Sequence, residues 1–490
     1  MFGILLGIGG LQILAMLVNI ARTKILAMWV GPEGLGIISS IDQTIQFVTH
    51  VCTLSLPFAA VKFLSKAHSE GGDAFRDGYV VFLKVLLMLS TVGTLVAASV
   101  VLFCVDLFPA KILPYQTLLV LGLLGIPATA VAGLFPNVLA AAQHSTGSAR
   151  LLVFTGMAMA VATTGGLLLG GITGLYVASV CTITVLAVVV VEYLRREMGL
   201  SVTECKVGIA AGFRRMGNVV SFSALFYAGA IASTGSLLVT RYAVLEHLGE
   251  AEAGFLQAGM AVALLMSAAL TPLNGLFFTP RVNRAGPKEE KFQVAVEFQK
   301  QMAMILTIAS IPVLLFPHVL LSLAFSPKFL VASQYMFLFM LWQSFTMFAG
   351  IYQALLIGLD DMVSYTVLSC LGSLLAASSA VLLVPQYGVI GAASGFVAAS
   401  ALVTIGTFIR LKLSHGFILP GHLVFLMGYS LLVTIVLGSI FRHYDGWQYP
   451  LLLSKAAVAL VSLLGLFLFL SSKDRHALVS FSQRVRSGTW

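Results

Sequence analysis

The chain has few charged residues and no long hydrophilic segment. Of its 490 residues only 10% are Asp, Glu, Lys or Arg, whereas 59% are hydrophobic. So few charges cannot keep the surface of an ordinary soluble domain hydrated. The longest hydrophilic stretches, 195–215 and the tail from 472, are too short to form separate soluble domains. The composition therefore predicts an integral membrane protein.

Motifs typical of enzymes, nucleotide sites and metal sites are also missing. The sequence contains no GxxxxGK[ST] loop, no HExxH and no GxSxG in a suitable context. Its five cysteines form no CxxC and show no zinc spacing, and four of them lie inside apolar stretches, where cysteine packs as a small hydrophobe. We therefore expect no catalytic residues and no metal or organic cofactor. Only a bound monovalent ion, H⁺ or Na⁺, is left open.

Apolar stretches long enough to cross a bilayer fill almost the whole chain. A crossing helix needs about 20 apolar residues. The stretch that begins at Met1 has no charged leader and no small-residue cleavage site, so we expect it to be a retained span and not a signal peptide. The predicted fold class is an all-α polytopic membrane protein with about 14 transmembrane helices. Spans 1 to 14 are predicted at 2–29, 35–64, 78–104, 117–142, 150–170, 172–194, 216–246, 253–279, 292–322, 331–358, 363–385, 388–409, 420–441 and 450–471.

The positive charges lie mainly on one side of this predicted topology. All of the Lys and Arg in loops and tails fall on the side of the two termini, except Lys111, Lys328 and Arg442. The positive-inside rule places the rich side in the cytoplasm, so we expect both termini there. The net charge of +9 is then a feature of topology, and we expect no nucleic-acid partner.

The chain also repeats itself at an offset of about 217 residues. The segment Gly31–Gly36 after span 1 matches Gly249–Gly254 after span 7, and Gly171–Gly174 matches Gly388–Gly391. Each half has six spans that begin on the same side, which predicts a parallel repeat of two bundles. The predicted domains are an N-terminal bundle (1–199), a cytoplasmic linker (200–215), a C-terminal bundle (216–412), two additional spans (413–471) and a basic cytoplasmic tail (472–490).

Polar side chains follow one face of span 2 and recur in span 8. At about 100° per residue, Asp42, Gln46 and His50 share a narrow stripe of span 2. Span 8 repeats the theme of buried polar residues with Gln257 and Asn274. Such residues either line a wet cavity, with a role in ion coupling, or only hydrogen-bond between helices. For Asp42 and His50, which are costly to bury, we favour the cavity.

Five cations within or at the rims of spans are candidate substrate ligands. They are Arg22, Lys24, Lys62, Arg241 and Arg281. Long cationic side chains near helix ends can instead reach the headgroups, an interpretation that suits Lys62 and Arg281 as well as a cavity does. It suits Arg22 and Lys24 less. Cations that face a cavity would favour a phosphorylated or otherwise anionic cargo.

Three segments carry a resemblance to a known family: one begins at Arg22, one begins at Val384, and the third, Leu200 to Gly259, is similar to the mid-chain loop and seventh helix of that family. Arg22-x-Lys24-Ile-Leu-Ala-x-x-x-Gly31-Pro-Glu-Gly-Leu-Gly36 resembles the first-helix signature of polysaccharide (O-antigen type) flippases. These belong to the multidrug/oligosaccharidyl-lipid/polysaccharide (MOP) exporter superfamily. Val384-Pro-Gln-Tyr-Gly-Val-Ile-Gly-Ala-Ala393 is similar to that family's link between helices 11 and 12. The resemblance covers most of residues 1–412.

The resemblance implies two six-helix bundles that form a V around a cationic cavity. Family cavities carry basic residues on helices 1, 2, 7 and 8, and Lys24, Lys62, Arg241 and, approximately, Arg281 match those positions. The implied activity is translocation of undecaprenyl-pyrophosphate-linked oligosaccharide from the cytoplasmic to the periplasmic leaflet of the bacterial inner membrane. It would proceed by alternating access coupled to an ion gradient. A monomer in contact with membrane lipids, acting beside a glycan polymerase and its chain-length machinery, would be the expected setting.

Three other functions are weighed against this one. The extra spans 13 and 14 are also similar to those of the peptidoglycan lipid II flippases, a related branch in which the added helices help to form a groove for the lipid tail. A cation-coupled multidrug exporter usually carries cationic cargo, which would favour more acids than bases in the cavity. A membrane polymerase or ligase would need a large outer loop, and none of the predicted outer loops is long.

Overall fold

The structure is a computed structural model that describes residues 2–54, 56–142, 145–198, 200, 217–273, 278, 281–282, 286–441 and 449–468. Within these ranges the chain is almost wholly helical and contains no strand. The α-helices are Phe2–Thr53, Leu56–Glu70, Gly72–Phe103, Gln116–Leu124, Ile126–Ala141, Ser145–Met198, Gly217–Leu248, Glu250–Leu273, Lys288–Leu315, Pro317–Ala324, Ser333–Gly358, Met362–Arg410, Gly421–Phe441 and Tyr449–Leu468.

Three of these helices are too long for a single crossing. At about 1.5 Å per residue, a helix of 50 residues would be more than twice as long as the hydrocarbon core is thick. Each is broken once at glycine, at Gly31, at Gly170–Gly171 and at Gly388. The breaks divide them into spans 1 and 2, 5 and 6, and 11 and 12, as the sequence predicts.

The second and third of these breaks have the same backbone conformation. Gly171 has φ 60° and ψ −149°, and Gly388 has φ 63° and ψ −147°. Positive φ suits glycine, which lacks the Cβ that would clash. The two residues are 217 positions apart, so the agreement is what an internal repeat at that offset predicts. After the break at Gly171 the chain folds back on itself. Gly174 lies so close to Gly166 that a Cβ on Gly174 would collide with the Gly166 carbonyl oxygen.

Seven helices of the described part are long and apolar enough to cross a membrane, or eight when the bent pair Leu113–Leu124 and Ile126–Leu139 counts as one span. Two of the seven, Arg150–Arg196 and Met362–His415, correspond to helices that hold two spans each. Span 2 is interrupted at Leu54, which has a φ of 50°, and resumes as Leu56–Glu70 with Pro57 in its first turn. Proline is tolerated there because the first N–H groups of a helix have no internal acceptor.

The chain divides into two compact units. The first contains Met1–Ala258, Leu323–Phe329 and Thr366–Gly395, and the second contains Gly259–Ser322, Leu330–Tyr365 and Phe396–Trp490. One core of the first unit is formed where spans 2, 3, 4 and 6 meet, around the fully buried Leu64, Tyr79 and Phe135. Span 2 also packs against span 7 in this unit: Gln43 Nε2 donates to the Thr234 carbonyl at 3.4 Å.

The second unit is built mainly on spans 9, 10, 13 and 14. A turn before span 11 holds Asp361, whose Oδ2 accepts from Arg410 Nε at 2.9 Å and lies 3.3 Å from His415 Nε2. Its Oδ1 accepts from the backbone N–H of Ser364, which caps the helix Met362–Arg410. Partial burial by itself raises the pKa of Asp361, and these hydrogen bonds outweigh it and lower the pKa to about 2.

Candidate functional site

One face of span 2 carries an exposed carboxylate. Asp42 and Gln46 are exposed, and His50 is half-buried, whereas Gln43 and Thr44 on other faces of the same helix are buried. Asp42 Oδ1 accepts a hydrogen bond at 2.9 Å from the hydroxyl of Tyr176 in span 6. Lipid offers no partner to a carboxylate, so an exposed Asp42 at this depth favours water beside the polar stripe.

Arg22 lies close to this carboxylate. Its Nε donates to Thr163 Oγ1 in span 5 at 2.9 Å, and its guanidinium interacts electrostatically with Asp42. The Thr163 hydroxyl in turn donates to the Met159 carbonyl at 2.7 Å, which leaves its oxygen free to accept from Arg22. Spans 1, 2, 5 and 6 therefore contribute to one polar region.

Arg241 adds a second cation from the other half of the repeat. Its side chain is 93% buried, since only 7% of its surface is exposed. Nη2 donates to Gln257 Oε1 in span 8, and the guanidinium interacts electrostatically with Asp42. Nε and Nη1 are buried without a hydrogen-bond partner in the described part of the chain. Each such group costs free energy, so this arginine is held in a state that a further acceptor would stabilise.

We call Arg22, Asp42 and Arg241 the charged cluster. It carries two cations and one carboxylate, and Thr163, Tyr176 and Gln257 are its hydrogen-bond partners. All six residues belong to the first compact unit, although they come from both halves of the sequence repeat. The net positive charge in a low-dielectric setting favours an anionic ligand over a cationic one.

The remaining predicted site residues are less fully defined. Lys24 is half-buried and makes no hydrogen bond or ion pair with any residue that the structure describes. Lys62 lies in the helix Leu56–Glu70, but its side chain falls outside the described part, and Asn274 lies outside it altogether. His50 is on the same stripe as Asp42 and is half-buried. The roles assigned to these residues stay predictions.

Arg281 lies in the second compact unit. Its exposed side chain lines a cavity of about 240 Å³ together with Glu297 and Gln301. The aromatic rings of Phe278 and Phe298 stack on the wall of this cavity, with centroids 4.7 Å apart. The cavity is a separate setting from the charged cluster of the first unit.

Sequence reasoning missed Thr163 and Tyr176. Both lie on spans rich in Ala, Gly, Val and Leu, where an isolated hydroxyl usually donates to a backbone carbonyl of its own helix. Tyr176 is only 3% exposed and lies five positions after the break at Gly171, which turns span 6 back along span 5. Only the packing of the helices brings it to Asp42.

Among the described residues no group of three His, Cys, Asp or Glu side chains could hold a metal ion.

Solved membrane transporters share this fold. The chain is similar to the lipid II flippase MurJ in an inward closed conformation, with a TM-score of 0.68 and 12% identity over 94% of this chain and 97% of that one. It is similar to an inward-facing multidrug resistance MATE family transporter of the MOP superfamily, with a TM-score of 0.66 and 12% identity over 81% and 94%. It is also similar to a MOP superfamily transporter from Pyrococcus furiosus, described by a reverse polarity of its binding pocket. That alignment has a TM-score of 0.58 and 12% identity over 83% of this chain and 93% of that one.

No family model and no curated protein sequence matches the chain. At 12% identity the structural likeness concerns the fold alone. That fold is an all-α polytopic membrane protein of about fourteen spans, with two pseudo-symmetric six-helix bundles and two extra C-terminal helices. The chain therefore has the fold shared by MOP superfamily transporters such as the MATE exporters and MurJ.

Proposed function

We propose that the protein is a flippase for an anionic lipid-linked oligosaccharide. Its cargo would be an undecaprenyl-pyrophosphate-linked repeat unit of O-antigen or a related polysaccharide. It would move from the cytoplasmic to the periplasmic leaflet of the bacterial inner membrane. The protein would act as a monomer, without a catalytic step, and would supply a glycan polymerase and its chain-length machinery.

The observation that carries this proposal is the buried Arg241 with two unpartnered guanidinium nitrogens. A buried donor without an acceptor costs about 1–3 kcal/mol, and more when the group is charged. A pyrophosphate offers several anionic oxygens to such donors, and charge-assisted bonds to phosphate are among the strongest that side chains make. Arg22, which also interacts electrostatically with Asp42, would provide the second cation that a doubly charged headgroup needs. A cationic drug would be repelled by the same pair.

The extent of the structural likeness also supports a lipid-linked cargo. The alignment with MurJ leaves 6% of this chain uncovered, which is shorter than the segment 413–471 that holds spans 13 and 14. The alignment with the MATE transporter leaves 19% uncovered. At least part of the extra helix pair therefore has a counterpart in the lipid II flippase. This observation favours a lipid II flippase as the second candidate function.

The contacts between the starts of spans 2 and 8 suggest where the transport cycle would open. Backbone packs on backbone where span 2 begins: a Cβ on Gly36 would collide with the Glu250 carbonyl, and one on Gly254 with that of Pro32. The predicted topology would put these residues at the periplasmic end. In alternating access this contact would have to separate before a headgroup at the charged cluster could leave outward. Protonation of Asp42, or Na⁺ binding there, would change the balance of charge beside Arg22 and Arg241 and so provide coupling.

Reconstitution into liposomes tests the proposal. A fluorescent undecaprenyl-pyrophosphate oligosaccharide, placed in both leaflets, is quenched by a membrane-impermeant reductant at a rate that reports translocation. We expect rapid loss of the protected signal with the wild-type protein and none with Arg241→Gln or Arg22→Gln. Arg196→Gln is the matched control, because Arg196 is exposed and pairs only with Glu192 among described residues.

Cargo choice separates the candidate functions in the same assay. Faster translocation of lipid II than of the oligosaccharide carrier would support the second candidate. Transport of a cationic dye, with the glycan carrier left in place, would contradict the proposal and support a multidrug exporter.

A further inference from the structure

A further cavity lies in the first unit, against spans 2, 3 and 7. Its volume is about 580 Å³, within the range of about 300–1,000 Å³ typical of ligand pockets. Its wall is almost entirely hydrocarbon and includes Phe47, Val51, Val92, Val96, Leu238 and Tyr242. We call it the apolar cavity.

The few polar groups in the wall of the apolar cavity are mostly satisfied already. The Thr44 hydroxyl donates to the Ser40 carbonyl at 2.8 Å, so its oxygen must accept the 2.8 Å bond that joins it to the Tyr242 hydroxyl. Tyr242 donates in that bond. A polar ligand would therefore lose its hydration in this cavity and find only the Tyr242 phenol oxygen and the Cys52 thiol in return, whereas a hydrocarbon chain would lose nothing.

The apolar cavity opens on an exposed apolar surface of span 3. Val92 and Val96 line it and are 55% and 58% exposed. Leu95, which lies between them on the helix and does not line the cavity, is 61% exposed. In a bilayer such a surface meets lipid chains, so the mouth of the cavity is reached from the hydrocarbon core.

The apolar cavity and the charged cluster lie at the same level of spans 2 and 7. Thr44 is two residues from Asp42, and Tyr242 is adjacent to Arg241. At about 100° per residue, Phe47 and Val51 face away from the Asp42 side of span 2. Thr44, about 160° from Asp42, lies on the same face as Phe47 and Val51, so the Thr44–Tyr242 hydrogen bond joins the two helices on the side of the apolar cavity.

We infer that the apolar cavity binds the first isoprene units of the cargo's polyprenyl chain while the pyrophosphate occupies the charged cluster. This inference rests on the proposed function. A carrier lipid whose headgroup lies at Arg241 must extend its chain through a neighbouring gap into the bilayer, and the apolar cavity begins at the next residue. The Thr44–Tyr242 bond then closes the gap between spans 2 and 7 when no chain passes through it.

Photo-crosslinking in proteoliposomes tests this assignment. The probe is an undecaprenyl-pyrophosphate oligosaccharide with a diazirine on its first isoprene unit. The comparison probe is phosphatidylglycerol with a diazirine on an acyl chain. We expect the prenyl probe to label span 3 peptides between Leu89 and Val101, and excess unlabelled carrier to reduce this labelling at least tenfold.

Two substitutions on span 3 provide the matched pair. Ala97→Trp fills the apolar cavity, because Ala97 is on its wall, and should reduce labelling by the prenyl probe at least tenfold. Leu95→Trp adds the same side chain to the lipid-facing surface and should leave labelling unchanged. If Ala97→Trp fails to fold, as judged by its melting temperature in detergent, Val96→Trp replaces it.

The outcomes separate this inference from the proposed function. Labelling by both probes that excess carrier does not displace would make the apolar cavity a site for bilayer lipid and overturn the inference. Absence of span 3 labelling in a protein that translocates the oligosaccharide would overturn the inference alone. Specific labelling without translocation would support the chain site and overturn the proposed function.

Discussion

Replacing Arg241 and Gln257 together should abolish transport without lowering stability. In Arg241→Met/Gln257→Leu an apolar pair of similar size takes the place of a buried cation and its amide partner. Relief of the two unpartnered nitrogens is worth about 1–3 kcal/mol for each, and the lost charge-assisted bond to Gln257 costs about 1.5–3 kcal/mol. The gain of about 2–6 kcal/mol exceeds the loss over most of its range, so we expect a melting temperature equal to or above that of the wild type.

The single variant Gln257→Leu provides an internal check. It keeps the Arg241 charge and removes the acceptor of Nη2, so a third nitrogen loses its partner and the protein should melt at a lower temperature. Differential scanning fluorimetry in detergent gives the order of the three proteins, and the translocation assay gives their activity. A double variant that is clearly less stable than the wild type but transports normally would make Arg241 a structural residue and refute the reasoning.

Three further predictions concern other contacts. Tyr176→Phe removes the hydroxyl that donates to Asp42, a bond to a charged group worth about 1.5–3 kcal/mol, and should slow translocation about tenfold or more at unchanged membrane levels; an unaltered rate at every pH tested would contradict this. Lys111→Ala removes the Nζ that donates to the Leu245 carbonyl at 2.9 Å, a helix-end contact worth about 0.3–1 kcal/mol, and should increase labelling of Glu250→Cys by an external maleimide, with equal labelling as the opposing result. The pKa of Asp361 is lowered in the folded state, so its stabilising contribution is present above about pH 4 and is lost as the pH falls towards 2; Asp361→Asn should flatten that part of the stability profile measured by melting, and an unchanged profile would count against the hydrogen bonds.

The sequence alone was sufficient to predict the spans and their breaks. A bilayer can hold only segments whose backbone bonds are satisfied internally, so apolar length largely fixes the helices. The repeat placed equivalent glycines at Gly171 and Gly388, and both have the positive φ that a break between two spans requires. These features depend on neighbours along the chain. The direction in which the chain crosses the membrane stays a prediction.

Only the tertiary structure decided which polar side chains meet. Arg22 and Lys24 were both candidates by sequence, and Lys24 was the one that matched the family's cavity positions. Arg22 nevertheless contacts Thr163 and interacts with Asp42, whereas Lys24 has no partner among the described residues. Two residues along a helix differ by about 200° in direction, so their surroundings depend on how the helix is rotated against its neighbours. That rotation is set by packing between spans that lie far apart in the chain, as the 141 positions between Arg22 and Thr163 illustrate. The sequence could therefore name the charges, and the packing of the spans selected those that form the cluster.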